Sequence, residues 1–151
     1  MERKEKAVKL FNQGYNCAQA VMLAFSDCLD IDEKTIQKIT SSFGGGVSRL
    51  REVCGCVSAM AMVIGMIKGD YDVLDNDSKA NLYKDVQELA LKFKEKFGSY
   101  ICSDLLNKEK GPENYVPGVR NETYYHNRSC DLYIAYMVEI LQEKIKSYGK
   151  D

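Results

Sequence analysis

The chain has no tryptophan and a single histidine, His126, among 151 residues. One imidazole rules out the histidine-rich metal sites. No Cys-x-x-Cys-His occurs, which excludes covalent c-type haem attachment by its own motif, and no Cys-x-x-Cys of the thioredoxin kind occurs either. Proline is confined to Pro112 and Pro117. No stretch alternates polar and apolar residues as a half-buried strand does, and there is no internal repeat or low-complexity segment. Charge is nearly balanced, formally −1 at pH 7, so nothing points to nucleic acid or an anionic membrane surface as partner. The uncharged run from Val53 to Ile67 is too short to span a bilayer, and arginine and lysine bracket it. The opening MERKEKAVKLF is charged and amphipathic, without the apolar region of a secretory signal. A cytoplasmic protein is expected, in which the sequons at Asn121 and Asn127 carry no meaning.

What is there is helical. Hydrophobic residues make up 45% and charged residues 28%, a globular balance that at this length supports one domain with a real core. Arg3 to Asn12 reads as a short amphipathic helix, interrupted by Gly14. Asn16 is placed to cap a second helix, Cys17 to Leu29. Asp30 or Asp32 would cap a third through about Ser42, with Ile36, Ile39 and Phe43 inward. Val53 to Ile67 forms a central core helix closed by Gly69. Asp77 or Ser78 would cap a long helix to about Phe97, Ser99 a short one through Leu106, and Ser129 the last, Cys130 to about Tyr148. Residues 107–128 form the one long irregular stretch, with Tyr124-Tyr125-His126 placed to pin it to the body. The expectation is an all-α, single-domain irregular bundle of five to seven helices. Small residues along the central helix (Gly55, Ser58, Ala59, Ala61, Gly65) admit close helix packing and are compatible with a homodimer.

Six cysteines are many for a reducing compartment, where they point to metal, catalysis or redox sensing before structural disulfides. Cys17, Cys54, Cys102 and Cys130 each fall in the first turn of a different expected helix. A helix start offers free amides and positive partial charge, which favour the thiolate. Cys28 shares a helical face with Cys17 but lies eleven residues on, about 16 Å along the axis, so it reads as core. Cys56 stands one residue beyond Gly55, and positions i and i+2 of a regular helix do not face each other. The triple glycine Gly44-Gly45-Gly46 lacks the Gly-Lys-Ser/Thr ending of a phosphate loop; its expected role is to let backbone pass close to the Cys54 turn. Arg49 and Arg51 read equally as solvated charges or as holders of an anion or thiolate. His126 reads as an exposed loop residue, with a fifth ligand or a proton donor as the sharper alternatives.

Taken together, Tyr15-Asn16-Cys17-Ala18-Gln19-Ala20-Val21, Phe43-Gly44-Gly45-Gly46, Glu52-Val53-Cys54-Gly55, Phe97-Gly98-Ser99 with Cys102, and Cys130 resemble, in order and across nearly the whole chain, the C_GCAxxG_C_C family of small proteins described as redox-active. The resemblance implies four functional thiols, Cys17, Cys54, Cys102 and Cys130, and little about substrate. Where a Cys-Gly-Ala-x-x-Gly register wants alanine and glycine, this chain has Cys56 and Ala59. A register shifted to Cys56 instead puts Val57 and Met60 at those places. The first is the milder departure, and the choice between Cys54 and Cys56 stays open.

Three functions follow as expectations. The first is a thiolate-bound zinc or iron ion or an iron–sulfur cluster held by Cys17, Cys54, Cys102 and Cys130 with Cys56 in reserve. Gly45, Gly46, Arg49 and Gly55 are the candidates to contact such a cofactor. The second is a thiol–disulfide redox protein or sensor serving an unidentified electron or thiol partner, with Cys17–Cys54 or Cys102–Cys130 as couples. The third is a non-catalytic helical interaction module with core cysteines.

Overall fold

A computed structural model describes residues 1–126 and 128–150, the side chain of His126 excepted. It is all-α. Eight right-handed helices occur among the described residues: α1 (Arg3–Asn12), α2 (Cys17–Leu23), α3 (Glu33–Thr40), α4 (Gly55–Lys68), α5 (Asn76–Phe97), α6 (Cys102–Leu105), α7 (Glu122–His126) and α8 (Cys130–Ser147). The central helix α4 packs against α2, α5 and α8, and α1 closes over α2 and α8. Its buried Ala59, Met60, Val63 and Ile64 meet Val21 and Met22 of α2 and Ile134, Met137 and Leu141 of α8 in one apolar cluster. Each large side chain among them contributes about 1.5–3 kcal/mol on leaving water, so this cluster holds together the helices α2, α4 and α8, at whose starts Cys17, Cys54 and Cys130 sit.

Local chemistry explains the starts and stops. The Asn16 side chain accepts from the Gln19 amide while the Gln19 side chain accepts from the Asn16 amide, a capping box. The side-chain amide nitrogen of Asn16 donates to the carbonyls of Thr40 and Ser41, tying the start of α2 to the end of α3. Asp32 caps α3 as one of the two expected residues. The cap of α5 is Asp75 rather than Asp77 or Ser78, because its carboxylate takes both the amide and the hydroxyl of Ser78. Helix α2 stops at Leu23, short of the expected Leu29. The buried Phe25 tightens the chain into i→i+3 hydrogen bonds, and a 3₁₀ turn, Ser26–Cys28, follows. Ile39, expected inward, is exposed, since α3 buries only Ile36 and Thr40. The stretch 107–128 is less irregular than expected, because Asn121 accepts from the Tyr124 amide and starts the one-turn α7.

The triple glycine does more than end a helix. Residues 45–49 all have positive φ, between 50° and 70°, which makes Gly45-Gly46-Val47-Ser48-Arg49 a short left-handed turn. Glycine adopts this conformation freely, but each L-residue there costs about 1–2 kcal/mol. Val47, Ser48 and Arg49 carry that strain, and Arg51 (φ 61°) adds to it.

Candidate functional site

Backbone pairing aligns two of the cysteine-bearing segments. Val53 and Ile101 form an isolated antiparallel bridge, with the Cys54 amide donating to Tyr100 and the Cys102 amide to Glu52. The left-handed turn then folds back onto this bridge, so that the amides of Arg51 and Glu52 donate to the carbonyls of Gly45 and Gly46. Gly46 is buried here, and a Cβ on it would lie 2.6 Å from the Cβ of Cys102. The close backbone approach, expected at the Cys54 turn, is made instead to Cys102 and the Arg51–Glu52 backbone. Gly55 is similarly crowded, because a Cβ there would meet the Cys17 sulfur at 2.5 Å.

Cys17, Cys102 and Cys130 are the first residues of α2, α6 and α8, and Cys54 is the N-cap of α4. These four and Cys56 line one cavity of about 330 Å³. The helical objection to Cys56 disappears because Cys54 is not helical: its extended backbone (φ −54°, ψ 135°) frees its thiol from the i, i+2 geometry. Of the other sequence candidates, Gly45, Arg49 and Gly55 line the cavity, whereas Gly46 is buried and does not line it. Cys28 is elsewhere, its thiol donating to the carbonyl of Phe25. All six cysteines are free thiols. The side chain of His126 and the whole of Asn127 lie outside the described residues.

The five sulfurs are not equivalent. The neighbouring thiols of Cys54 first and Cys56 next, with the amides of Ala18 and Gly45 adding to their effect, pull the Cys17 thiol well below its ordinary range despite burial. The converse holds for those neighbours: proximity to Cys17 holds the Cys54 and Cys56 thiols well above it. Burial pushes Cys102 up although Arg51 opposes it, and pushes Cys130 up to about 12. The arrangement thus favours one thiolate, Cys17, among four protonated neighbours. Among the described residues no group of three or more His, Cys, Asp or Glu side chains is arranged to hold a metal ion.

Sequence reasoning missed the roof. Residues 107–121 cross the cavity and are tied down by Glu113, whose carboxylate bridges Arg49 (2.8 Å), Arg51 (2.7 Å) and Lys108 (3.1 Å). Arg51 first and Lys108 next hold that carboxyl down at about 2 against the effect of burial. Arg120 anchors the far end by donating to the carbonyls of Phe11 and Tyr15, and its guanidinium lies 4.8 Å from the ring centres of Phe11 and Tyr124. Tyr125 also bonds the carbonyls of Phe11 and Asn12, so the tyrosine pair does pin this stretch to the body. The local signal was thin: Glu113 is one acidic residue in a polar loop, and its arginine partners are more than sixty residues away. Arg51 proves buried rather than solvated, at 3% exposure. Its Nε meets Glu113 and its Nη1 donates to the Cys102 sulfur at 3.5 Å, while its Nη2 is buried with no partner among the described residues.

A family model described as "Putative redox-active protein (C_GCAxxG_C_C)" matches residues 15–144. The chain belongs to this C_GCAxxG_C_C family. An uncharacterized protein of Archaeoglobus fulgidus is 28% identical to it over 97% of each chain. No solved structure matches it. In this family member the cysteines at residues 17, 54, 102 and 130 that carried the resemblance are the ones that begin or cap four helices around a single cavity.

Proposed function

We propose that this C_GCAxxG_C_C protein is a thiol–disulfide redox protein in which Cys17 is the attacking thiolate and Cys54 or Cys56 the resolving thiol. The observation that carries the reading is the placement of Cys17, at the start of α2, with Cys54 and Cys56 in the wall of one cavity, where these two neighbours favour the Cys17 thiolate. That grouping supplies a nucleophile and, beside it, the next sulfur to react. The Cys17 thiolate attacks one sulfur of a substrate disulfide, the S–S bond breaks, and the departing thiolate takes a proton. Cys54 or Cys56 then loses its proton and attacks the Cys17 sulfur, releasing the second substrate thiol. Two electrons pass to the substrate and the protein keeps one internal disulfide, which an external dithiol reduces. This chemistry suits a reducing cytoplasm; no helix among the described residues is long and apolar enough to cross a membrane.

Binding of zinc, iron or a cluster by Cys17, Cys54, Cys56, Cys102 and Cys130 stands second. Five sulfurs around one cavity favour it, but the side chains would have to regroup, since no group of three or more His, Cys, Asp or Glu among the described residues is arranged to hold a metal ion. Thiol counting in graded thiol–disulfide buffers separates the two. Loss of two thiols, restored by dithiothreitol and absent in Cys17→Ser, is the expected result. An unchanging count in protein that carries stoichiometric metal after anaerobic purification would favour the second reading.

A further inference from the structure

Among the described residues the cavity wall carries four guanidiniums, those of Arg49, Arg51, Arg120 and Arg128, and no aspartate or glutamate. Glu113 adjoins the wall and answers Arg49 and Arg51, but one carboxylate leaves positive charge in excess. Arg120 spends its donors on backbone carbonyls, and Arg128 lies 4.4 Å from the ring centre of Tyr124. Arg51 is different. It is almost wholly buried, it lines the cavity beside Cys102, and one terminal nitrogen has no acceptor among the described residues. A buried charged donor left without a partner is a rare arrangement that an incoming anion would complete, and guanidinium matches the planar geometry of a carboxylate. The cavity volume is at the small end of ligand pockets, enough for a metabolite-sized molecule.

We propose that the cavity receives a small anionic disulfide, its carboxylate held by Arg51 and its sulfur presented to Cys17. This rests on the thiol–disulfide reading and names the substrate class for the same site. Each turnover converts one carboxylate-bearing disulfide into two carboxylate-bearing thiols while Cys17 and its resolving partner become a disulfide, to be reduced by an external dithiol. The other guanidiniums set the sign of the field at the entrance, so an anion approaches faster than a neutral or cationic analogue of equal size.

The test uses three disulfides of similar length and different charge: dithiodiglycolate (anionic), 2-hydroxyethyl disulfide (neutral) and cystamine (cationic). Their rates of oxidising the fully reduced protein are compared with and without Arg51→Lys and Arg128→Gln. Dithiodiglycolate is expected to react about tenfold faster than the neutral probe, and cystamine slowest. Arg51→Lys, which keeps the charge but loses the fork, should erase most of the preference, and Arg128→Gln, away from the buried core, should reduce it. Thiodiacetate, a thioether that cannot exchange, serves as a second probe and should protect Cys17 from iodoacetamide. If no disulfide reacts but thiodiacetate protects, the anion site stands and the exchange chemistry fails. If the three disulfides react alike and thiodiacetate gives no protection, the anion site is overturned whatever the chemistry.

Discussion

At the scale of single residues, the site depends on one sulfur being unlike its neighbours. Cys54→Ala removes the largest influence lowering the Cys17 thiol, so that thiol should move back up toward its ordinary range, and the pH midpoint of its alkylation should rise. The same substitution at Cys28, whose thiol lies elsewhere and donates to the carbonyl of Phe25, should leave that midpoint where it is. Gly55→Ala directs a methyl at the Cys17 sulfur. We expect it to cost about 1–3 kcal/mol by overpacking, read by urea unfolding, and to slow Cys17 alkylation. These single-residue facts were unevenly legible. The thiols were visible because a cysteine after a capping residue is a local pattern, and Asn16 before Cys17 shows it. The ranking among them was not, because it follows from which sulfur ends up next to which, and Cys56 joins the site only through the non-helical backbone of Cys54.

At the scale of elements, two pieces set access to the thiols. The left-handed turn 45–49 places Arg49 and Arg51 over the cavity and holds strain in Val47. Val47→Gly should therefore stabilise the protein by about 1 kcal/mol, seen as a higher urea midpoint with an unchanged slope. Loss of stability would contradict the strain account. The roof, residues 107–121, is held by Glu113. Glu113→Gln removes its ion pairs with Arg49, Arg51 and Lys108, so amide exchange in the roof and alkylation of the buried thiols should both quicken. Because the Glu113 carboxyl is lowered to about 2, the strap is intact at neutral pH and loosens only as pH falls through that value. Neither element could be read in advance. The glycines announced freedom of φ but not a run of five left-handed residues, and Glu113 gave no periodic signal linking it to arginines in another part of the chain.

At the scale of the whole molecule, the helices were legible and their joints were not. Apolar periodicity outlined α1, α5 and α8, each of which buries one stripe, and an uncharged apolar run outlined α4. The cysteines converge because α4 supports α2 and α8 while the Val53–Ile101 bridge brings in α6. A second joint lies at the far end of α4. Asp85 of α5 pairs with Lys68 of α4 and Lys144 of α8 and accepts from the Tyr148 hydroxyl. Burial alone would raise its carboxyl, but the hydrogen bonds from Lys68, Tyr148 and Lys144 prevail and hold it at about 2. Its folded value lies below its unfolded one, so the stabilisation, on the order of 2 kcal/mol, is present above about pH 4 and disappears as pH falls toward 2. Asp85→Asn should lower the melting temperature at pH 7 and flatten the acid limb of the stability curve, without changing thiol reactivity at the opposite end of α4.

Site-resolved alkylation of the fully reduced protein across pH, read by mass spectrometry at all six cysteines, reaches the central claim most directly. The account predicts that Cys17 is labelled first, with a midpoint below that of an ordinary thiol, while Cys54, Cys56, Cys102 and Cys130 lag behind it. A Cys17 that is labelled no earlier than Cys28, or with an ordinary midpoint, would contradict it.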